Sequence, residues 1–336
     1  MPWTDQTVAP SRGPVVDLSI VIPFYNEHKN IPFLLEEIYQ ALQPTNWTYE
    51  VVAIDDGSRD GTYELLKKEL VRFTHFRLIR FRKNFGQTAA MAAGFDSAEG
   101  EIIVTLDGDL QNDPADIPRL MEKMSEGYDI VSGWREKRKD PFITRRLPSH
   151  LANKMISWVT GVRLRDYGCT LKAFRREVAK NIRLYGEMHR FIPAIASWMG
   201  VSIAEIPVNH RPRKFGSSKY GLSRTVRVIL DLITVKFLLT YSTRPIHVFG
   251  LWGILSGFLG FLLAGYLSFQ RIFMRTTLSN RPILLLAILL IFIGIQFISI
   301  GLLGEIQVRT YHESQNKPIY FIKEIIQSQG LSDSVQ

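Results

Sequence analysis

The 336-residue chain has a single cysteine, Cys169, so no internal disulfide can form, which fits a reducing compartment. Its seven histidines are scattered without zinc-ligand spacing, which leaves a structural zinc site unsupported. Neither a GxGxxG fingerprint nor a GxxxxGKS/T loop occurs, so the common dinucleotide turn and the P-loop are both excluded. Residues 1–14 lack an apolar h-region, so no secretory signal is expected there, and residues 1–15 read as a disordered tail.

Charge is absent from two long stretches, the 22 residues 248–269 and the 23 residues 282–304. At about 1.5 Å per residue each makes a helix of roughly 33–35 Å, enough to cross a hydrocarbon core of about 30 Å. A helix in a soluble core usually keeps a polar face, and these have none. Two membrane spans are expected, 245–269 and 282–304, joined by a short loop at 270–281.

Basic residues set the expected orientation, because cytoplasmic flanks carry the excess of Lys and Arg. Between Arg211 and His247 there are eight, against one acid, Asp231. The loop between the spans has three, Arg271, Arg275 and Arg281, which weakens the bias without reversing it. The tail beyond residue 304 adds Arg309, Lys317 and Lys323. Both termini are therefore read as cytoplasmic, the loop as external, and the protein as integral to a cytoplasmic membrane. The net charge of +9 concentrates beside the spans and at 135–146, which points to anionic headgroups and a phosphate-bearing lipid; no nucleic-acid partner is expected.

What is present upstream is an alternation of strand-like and helix-like stretches. Strands are expected at 17–23, 49–55, 76–82, 101–107 and 128–134, with helices at 31–42, 61–72, 86–98 and 115–126. That pattern predicts an α/β domain over 16–220 whose mostly parallel sheet is covered by helices on both faces. Ligands of such sheets bind beyond the carboxyl ends of the strands. There the chain reads PFYNE (23–27), DDGS (55–58), RKNFG (82–86) and DGDLQ (107–111).

In an extended stretch residues i and i+2 point to one side, so Asp107 and Asp109 can share a focus. Two like charges held together repel unless a cation lies between them. Hard oxygen ligands of this kind suit Mg2+ or Mn2+, which use one or two carboxylates plus phosphate oxygens.

These residues resemble the family 2 glycosyltransferases of GT-A fold, specifically the membrane-anchored polyprenyl-phosphate glycosyltransferases. The resemblance runs from about Leu18 to Tyr320. It rests on SIVIPFYNE, AIDDGSRDGT, RKNFGQTAAMAAG, TLDGDLQNDP, DYGCTLKAFRR, RKFGSSKY and the spans ending in IGLLGEI. Bacterial members that load a sugar onto undecaprenyl phosphate look nearest, and dolichyl-phosphate mannose synthases more distant. The resemblance implies an inverting transfer of a hexosyl or pentosyl group from a nucleotide diphosphate sugar to a lipid phosphate.

It also places roles. Asp107, Asp109 and Gln111 match the metal contacts. Pro23, Tyr25, Glu27 and Asp55 match positions that hold the base and ribose. Arg82, Asn84 and Gly86 match a nucleotide-side turn, with Asp107 on the donor as well. A pyrimidine ring N–H can donate to Asp55, which favours uridine and would also suit guanine. Roles beyond Gln111 are not carried over, because relatives often read DLQDPPE where this chain has Asn112-Asp113-Pro114-Ala115.

A phosphate monoester has a second pKa of about 6 and is largely dianionic at neutral pH. A general base is therefore not demanded, and Asp166 of DYGC, the obvious catalytic candidate, is left either as base or as an orienting group. Arg213 and Lys219, with Arg135 and Arg138, can supply positive charge to the acceptor phosphate. Residues 221–244 carry an apolar stripe of Leu222, Val226, Ile229, Ile233 and Phe237, expected to form an amphipathic helix in the headgroup plane or against the domain. Gly253 and Gly257 permit close helix contact, within the hairpin or between subunits of a homo-oligomer. A processive polysaccharide synthase is the competing enzyme reading, but no QxxRW motif occurs; a non-catalytic scaffold would have no use for Asp107, Asp109 and Gln111. Trp134, Tyr167 and Cys169 are the expected neighbours of the donor sugar.

Overall fold

A computed structural model of the chain describes residues 16–73, 75–136, 156–157, 161–182, 184, 188–212, 214, 246–274, 282–314 and 319–328. Two compact units divide the chain: residues 1–232 with 318–336, and residues 233–317. The expected N-terminal tail, the amphipathic region 221–244, and Arg138, Arg213 and Lys219 lie outside the described residues.

Strands with unbroken apolar runs are buried on both faces. β1 (Leu18–Phe24), β2 (Tyr49–Asp55) and β4 (Ile102–Thr105) come close to this, while β3 (Phe76–Phe81) interrupts its run with Arg77 and Arg80; all four are mostly buried. Together with β5 (Ile130–Arg135), β6 (Lys172–Arg175), β7 (Ile203–Val208) and β8 (Ile322–Gln327) they form an eight-stranded sheet of order β7-β5-β6-β4-β1-β2-β3-β8. One face carries α1 (Ile31–Leu42), α2 (Thr62–Glu69) and α4 (Ile117–Ser125), whose Leu34, Leu66 and Leu120 join Leu18, Ile20 and Ile22 in one core. The other face takes α3 (Gln87–Ser97), packed on β1 and β2 with Gly94 against Val21 and Ile54. Short helices α5 (Arg176–Asn181) and α6 (Ile192–Ala196) complete the unit.

The sheet is mixed. The block β4-β1-β2-β3 is parallel, as the sequence pattern implies, but β6 runs antiparallel between β4 and β5. β6 is four residues, Lys-Ala-Phe-Arg, too short for a periodic signal. β8 adds an antiparallel edge to β3 from the chain beyond the apolar stretches, where only a tail is expected from sequence. Its Ile-Lys-Glu-Ile-Ile-Gln has the mixed polarity of an edge strand and gives no core-strand pattern.

The second unit is a hairpin of two helices, α7 (Ile246–Phe273) and α8 (Pro282–Ser314). Gly253 meets Gly294 so closely that a Cβ on either would lie 2.7 Å from the other's carbonyl oxygen. Gly253 therefore serves contact within the hairpin. Of the most apolar stretches only 17% and 11% of residues are buried, and Trp252, Phe258, Leu285 and Phe292 face outward. α8 runs on past Gly304, because no Gly or Pro follows before Ser314 to stop it.

Candidate active site

Register brings the strand ends together. Phe24 of β1 lies opposite Asp55 of β2, and Thr105 of β4 lies opposite Val21, so Asp107, two residues on, comes level with Pro23. An open cleft forms there. Pro23 lines it from β1 and Tyr25 and Glu27 from the segment after that strand, Asp56 from just past β2, Asn84 and Gly86 from the turn into α3, Gln87 from the start of α3, and Asp107 and Asp109 from the segment after β4. Seven of these are sequence-predicted residues, all but Asp56 and Gln87; Asp55, Arg82, Gln111, Arg135 and Asp166 do not line the cleft.

Both oxygens of Asp107 are engaged by neutral donors: Gln87 Nε2 donates to Oδ1 and Thr170 Oγ1 to Oδ2, each at 2.7 Å. Burial, and then the charge of Asp109, push Asp107 up to about 6. Asp109 Oδ1 accepts from the Gln111 amide at 3.1 Å. That turn is made by Leu110 at φ 61°, a left-handed conformation that costs a non-glycine residue about 1–3 kcal/mol and clusters at functional sites. Gln111 is fixed through its backbone, whose carbonyl accepts from the Arg211 amide at 2.8 Å. Among the described residues no group of three or more His, Cys, Asp or Glu could enclose a metal. Two carboxylates on an open wall still fit a hard divalent ion that takes its remaining ligands from phosphate and water.

Neighbouring Asp55, the last residue of β2, and Asp56, the first beyond it, part company. Asp55 is 0% exposed, with Oδ1 accepting from the Ser58 amide at 3.1 Å and Oδ2 3.8 Å from Arg80 Nε. Asp56 lines the cleft and accepts from the amides of Phe85 at 2.7 Å and Gly86 at 3.0 Å, and from Asn84 Nδ2 at 3.0 Å. Burial pushes Asp56 up to about 6, against the pull of those amides. Gly57 makes the turn possible: its φ is +69°, and a Cβ would lie 2.5 Å from the Lys83 carbonyl carbon. Asn26, at φ 56°, binds the two turns together, since the Arg59 amide donates to its Oδ1 and its own amide donates to Ser58 Oγ.

Asp166, read from sequence as a catalytic candidate, and Arg135, read as an acceptor-phosphate group, form a nearly buried bidentate pair. Arg135 Nε donates to Oδ2 at 2.6 Å and a terminal nitrogen to Oδ1 at 2.9 Å. Asp166 also accepts from the Gly168 amide at 3.1 Å. A carboxylate so paired has both oxygens engaged and its orientation fixed. Tyr167 and Cys169 are 1% exposed, and burial pushes the Cys169 thiol up to about 11, so it stays protonated. Lys172 donates to the carbonyls of Tyr167 and Cys169, which ties DYGC to β6.

Several residues escaped the sequence reading. Gln87 and Thr170 clamp Asp107, and Asn112 Nδ2 donates to Thr170 Oγ1 at 2.8 Å. Asp113, beyond the last assigned role, is bonded to Arg211 at 2.6 Å and Asn209 at 2.8 Å, and Arg211 continues to Glu37 at 2.7 Å. This anchors the start of the basic segment. Uncharged Gln and Thr carry no signal of their own in a sequence. Asp56 did, through DDGS, and of the two aspartates it is the one just past β2 that reaches the cleft.

The profile of glycosyl transferase family 2 matches residues 19–183. Dodecaprenyl-phosphate galacturonate synthase of Rhizobium johnstonii is 42% identical over 96% of this chain and 98% of its own length. The chain belongs to glycosyltransferase family 2. Undecaprenyl-phosphate 4-deoxy-4-formamido-L-arabinose transferases of Klebsiella pneumoniae and Aeromonas hydrophila are 38% and 37% identical to this glycosyltransferase, each over 93% of it and 94% of themselves. Among solved structures, glucosyl-3-phosphoglycerate synthase from Mycobacterium tuberculosis in complex with Mn2+ and UDP-glucose matches with a TM-score of 0.51 and 16% identity, covering 66% of this chain and 78% of its own. That likeness shows a GT-A fold. With its outward-facing apolar hairpin, the glycosyltransferase is a membrane protein.

Proposed function

We propose that this glycosyltransferase moves a sugar, with inversion, from a nucleoside diphosphate, UDP in the first instance, to undecaprenyl phosphate or a related polyprenyl phosphate at the cytoplasmic face of the membrane. The observation that carries it is the pair Asp107 and Asp109 on the cleft wall, in a chain whose relatives bear polyprenyl-phosphate transferase names over nearly its whole length. β7 precedes the hairpin and β8 follows it within one sheet, which supports a catalytic domain and C-terminal tail on the same side of the membrane.

Asp107 and Asp109 would hold Mg2+ or Mn2+, with Gln111 as a third contact. When bound, the ion supplies Lewis-acid stabilisation of the diphosphate as it leaves. Gln87 and Thr170 keep both Asp107 oxygens directed, so no reorganisation is needed as charge develops. Pro23, Tyr25, Glu27 and Asn84 hold the nucleoside, and Asp56, on the wall where Asp55 is not, accepts from the base or ribose. The acceptor phosphate is already ionised at neutral pH, so it attacks the anomeric carbon without losing a proton; Asp166, paired with Arg135, orients the site. Arg213, Lys219 and Arg138 neutralise the lipid phosphate.

The test is to incubate membranes carrying the protein with undecaprenyl phosphate, Mg2+ or Mn2+, and radiolabelled UDP- and GDP-sugars. Label is expected in the lipid phase from one donor and is lost in Asp109→Ala. Label in long polymer, or an inert panel, overturns the proposal.

A further inference from the structure

Beyond the hairpin the chain returns to the sheet, and it does so against one turn of the donor cleft. β8 pairs with β3 from Gln327 opposite Arg77 to Ile322 opposite Phe81. Just ahead of it, the Phe321 carbonyl accepts from the Arg82 amide at 3.1 Å. The Tyr320 ring stacks on Phe81 with centroids 5.2 Å apart, and its hydroxyl donates to Asp96 Oδ2 at 2.8 Å. The Phe321 ring lies 6.1 Å from that of Phe85.

Phe81 ends β3 and Asp96 lies in the last turn of α3. Residues 82–86 are the turn strung between these two elements. Tyr320 thus bridges the supports of the turn, while Phe321 meets its first amide and one of its rings. The same turn supplies the Phe85 and Gly86 amides that bind Asp56, and it places Asn84 and Gly86 on the cleft wall. β8 also reaches the end of β2: Tyr63 donates to Glu324 Oε2 at 2.5 Å, and the Arg80 guanidinium packs 3.7 Å from the Tyr63 ring and 3.8 Å from Asp55 Oδ2.

We propose that the segment 319–324 is a working part of the donor site, with Tyr320 and Phe321 as positioning residues that hold the turn 82–86, and through it Asp56, in register with the nucleoside diphosphate. This rests on the cleft being the donor site. A turn left free must be ordered at the moment of binding, and that cost falls on donor affinity; the residues assigned to the lipid phosphate are not part of this turn.

The experiment uses the full chain in lipid nanodiscs, with Tyr320→Ala, Tyr320→Phe and Phe321→Ala. Phe321 is 58% exposed, so truncating it opens no core. Hydrogen exchange of the Phe85 and Gly86 amides is followed without ligand, alongside UDP binding in Mn2+ and the KM values for donor and lipid. Tyr320→Ala and Phe321→Ala are expected to speed exchange at both amides and to weaken UDP binding and donor KM about three- to tenfold, with the lipid KM unchanged. Tyr320→Phe, which keeps the stacked ring, recovers most of the loss. Unchanged exchange at Phe85 and Gly86 in folded Tyr320→Ala and Phe321→Ala overturns the proposal, as does an equal rise in both KM values. If the wild type binds no nucleoside diphosphate, the donor reading fails, and the link from tail to turn is still decided by exchange.

Discussion

Two pairs of aspartates stand at the ends of the two parallel strands that flank β1, and they behave differently because of one residue of spacing. Asp107 and Asp109, two apart, both reach the cleft. Asp55 and Asp56, one apart, divide: one faces inward to Arg80 and the Ser58 amide, the other lines the wall. The first pair concentrates negative charge where only a cation relieves it. The second gives one carboxylate to the frame of the sheet and one to the ligand. Composition cannot distinguish them, but their places do: Asp107 and Asp109 both stand past the end of β4, whereas Asp55 is the last residue of β2 and Asp56 the first beyond it.

The comparison breaks most sharply at the first pair. Asp109→Ala, or Asp107→Asn, is expected to lower transfer by at least about 10³-fold, since a metal contact on a leaving diphosphate is worth several kcal/mol. Transfer at undiminished rate in a chelator-treated preparation would show that the pair serves something other than a metal.

At the second pair, Asp56→Asn keeps the shape but presents an NH2 where an amide N–H is aimed. Hydrogen bonds to a charged group are worth about 1.5–3 kcal/mol, so donor KM should rise roughly 10- to 100-fold with the lipid KM unmoved. Steady-state kinetics with each substrate varied separately decide it. A lipid KM that moves equally would assign Asp56 to the acceptor.

Acid sharpens the first pair further. Burial and Asp109 raise Asp107 to about 6, so the proton is held below that pH and competes with the metal. Activity should therefore climb about tenfold per unit up to about pH 6, and the limb should move to lower pH as metal is increased. Without metal the raised value has the opposite effect on folding. Stability that Asp107 lends below its unfolded value of about 3.9 is lost as the pH rises to about 6, and Mn2+ restores it. An acid limb that ignores metal concentration would place the titration elsewhere.

How much of this was legible beforehand follows the physics of each signal. The four parallel strands and their helices carry periodic patterns and are found within a few residues of where the pattern puts them, and the two charge-free stretches are helices, the second running on to Ser314. β6 and β8 are short, mixed in polarity and defined by pairing with distant chain, so no local window contains them. Asp107 and Asp109 were legible because charge directly after a buried strand demands a reason. Thr170 and Gln87 were not, because their roles exist only once β6 and α3 are brought to Asp107. The Arg135–Asp166 pair hides for the same reason, joining residues 31 apart in the chain.

The smallest effect belongs to Asp55, and it is the one that tests the division of the second pair. Burial already pushes Asp55 above the usual carboxylate range, so a neutral group of the same shape suits its surroundings. Arg80, left by Asp55→Asn, still packs on Tyr63 and is partly exposed, so it can be solvated. Donor KM should stay within about threefold, and thermal stability should change by less than about 1 kcal/mol. Asp55→Ala differs, because the Ser58 amide loses its acceptor inside the protein; about 1–3 kcal/mol of stability should go with little change in donor KM for the folded fraction. Should Asp55→Asn instead cost as much donor affinity as Asp56→Asn, both carboxylates would have to read the nucleoside, and the division at the end of β2 would not hold.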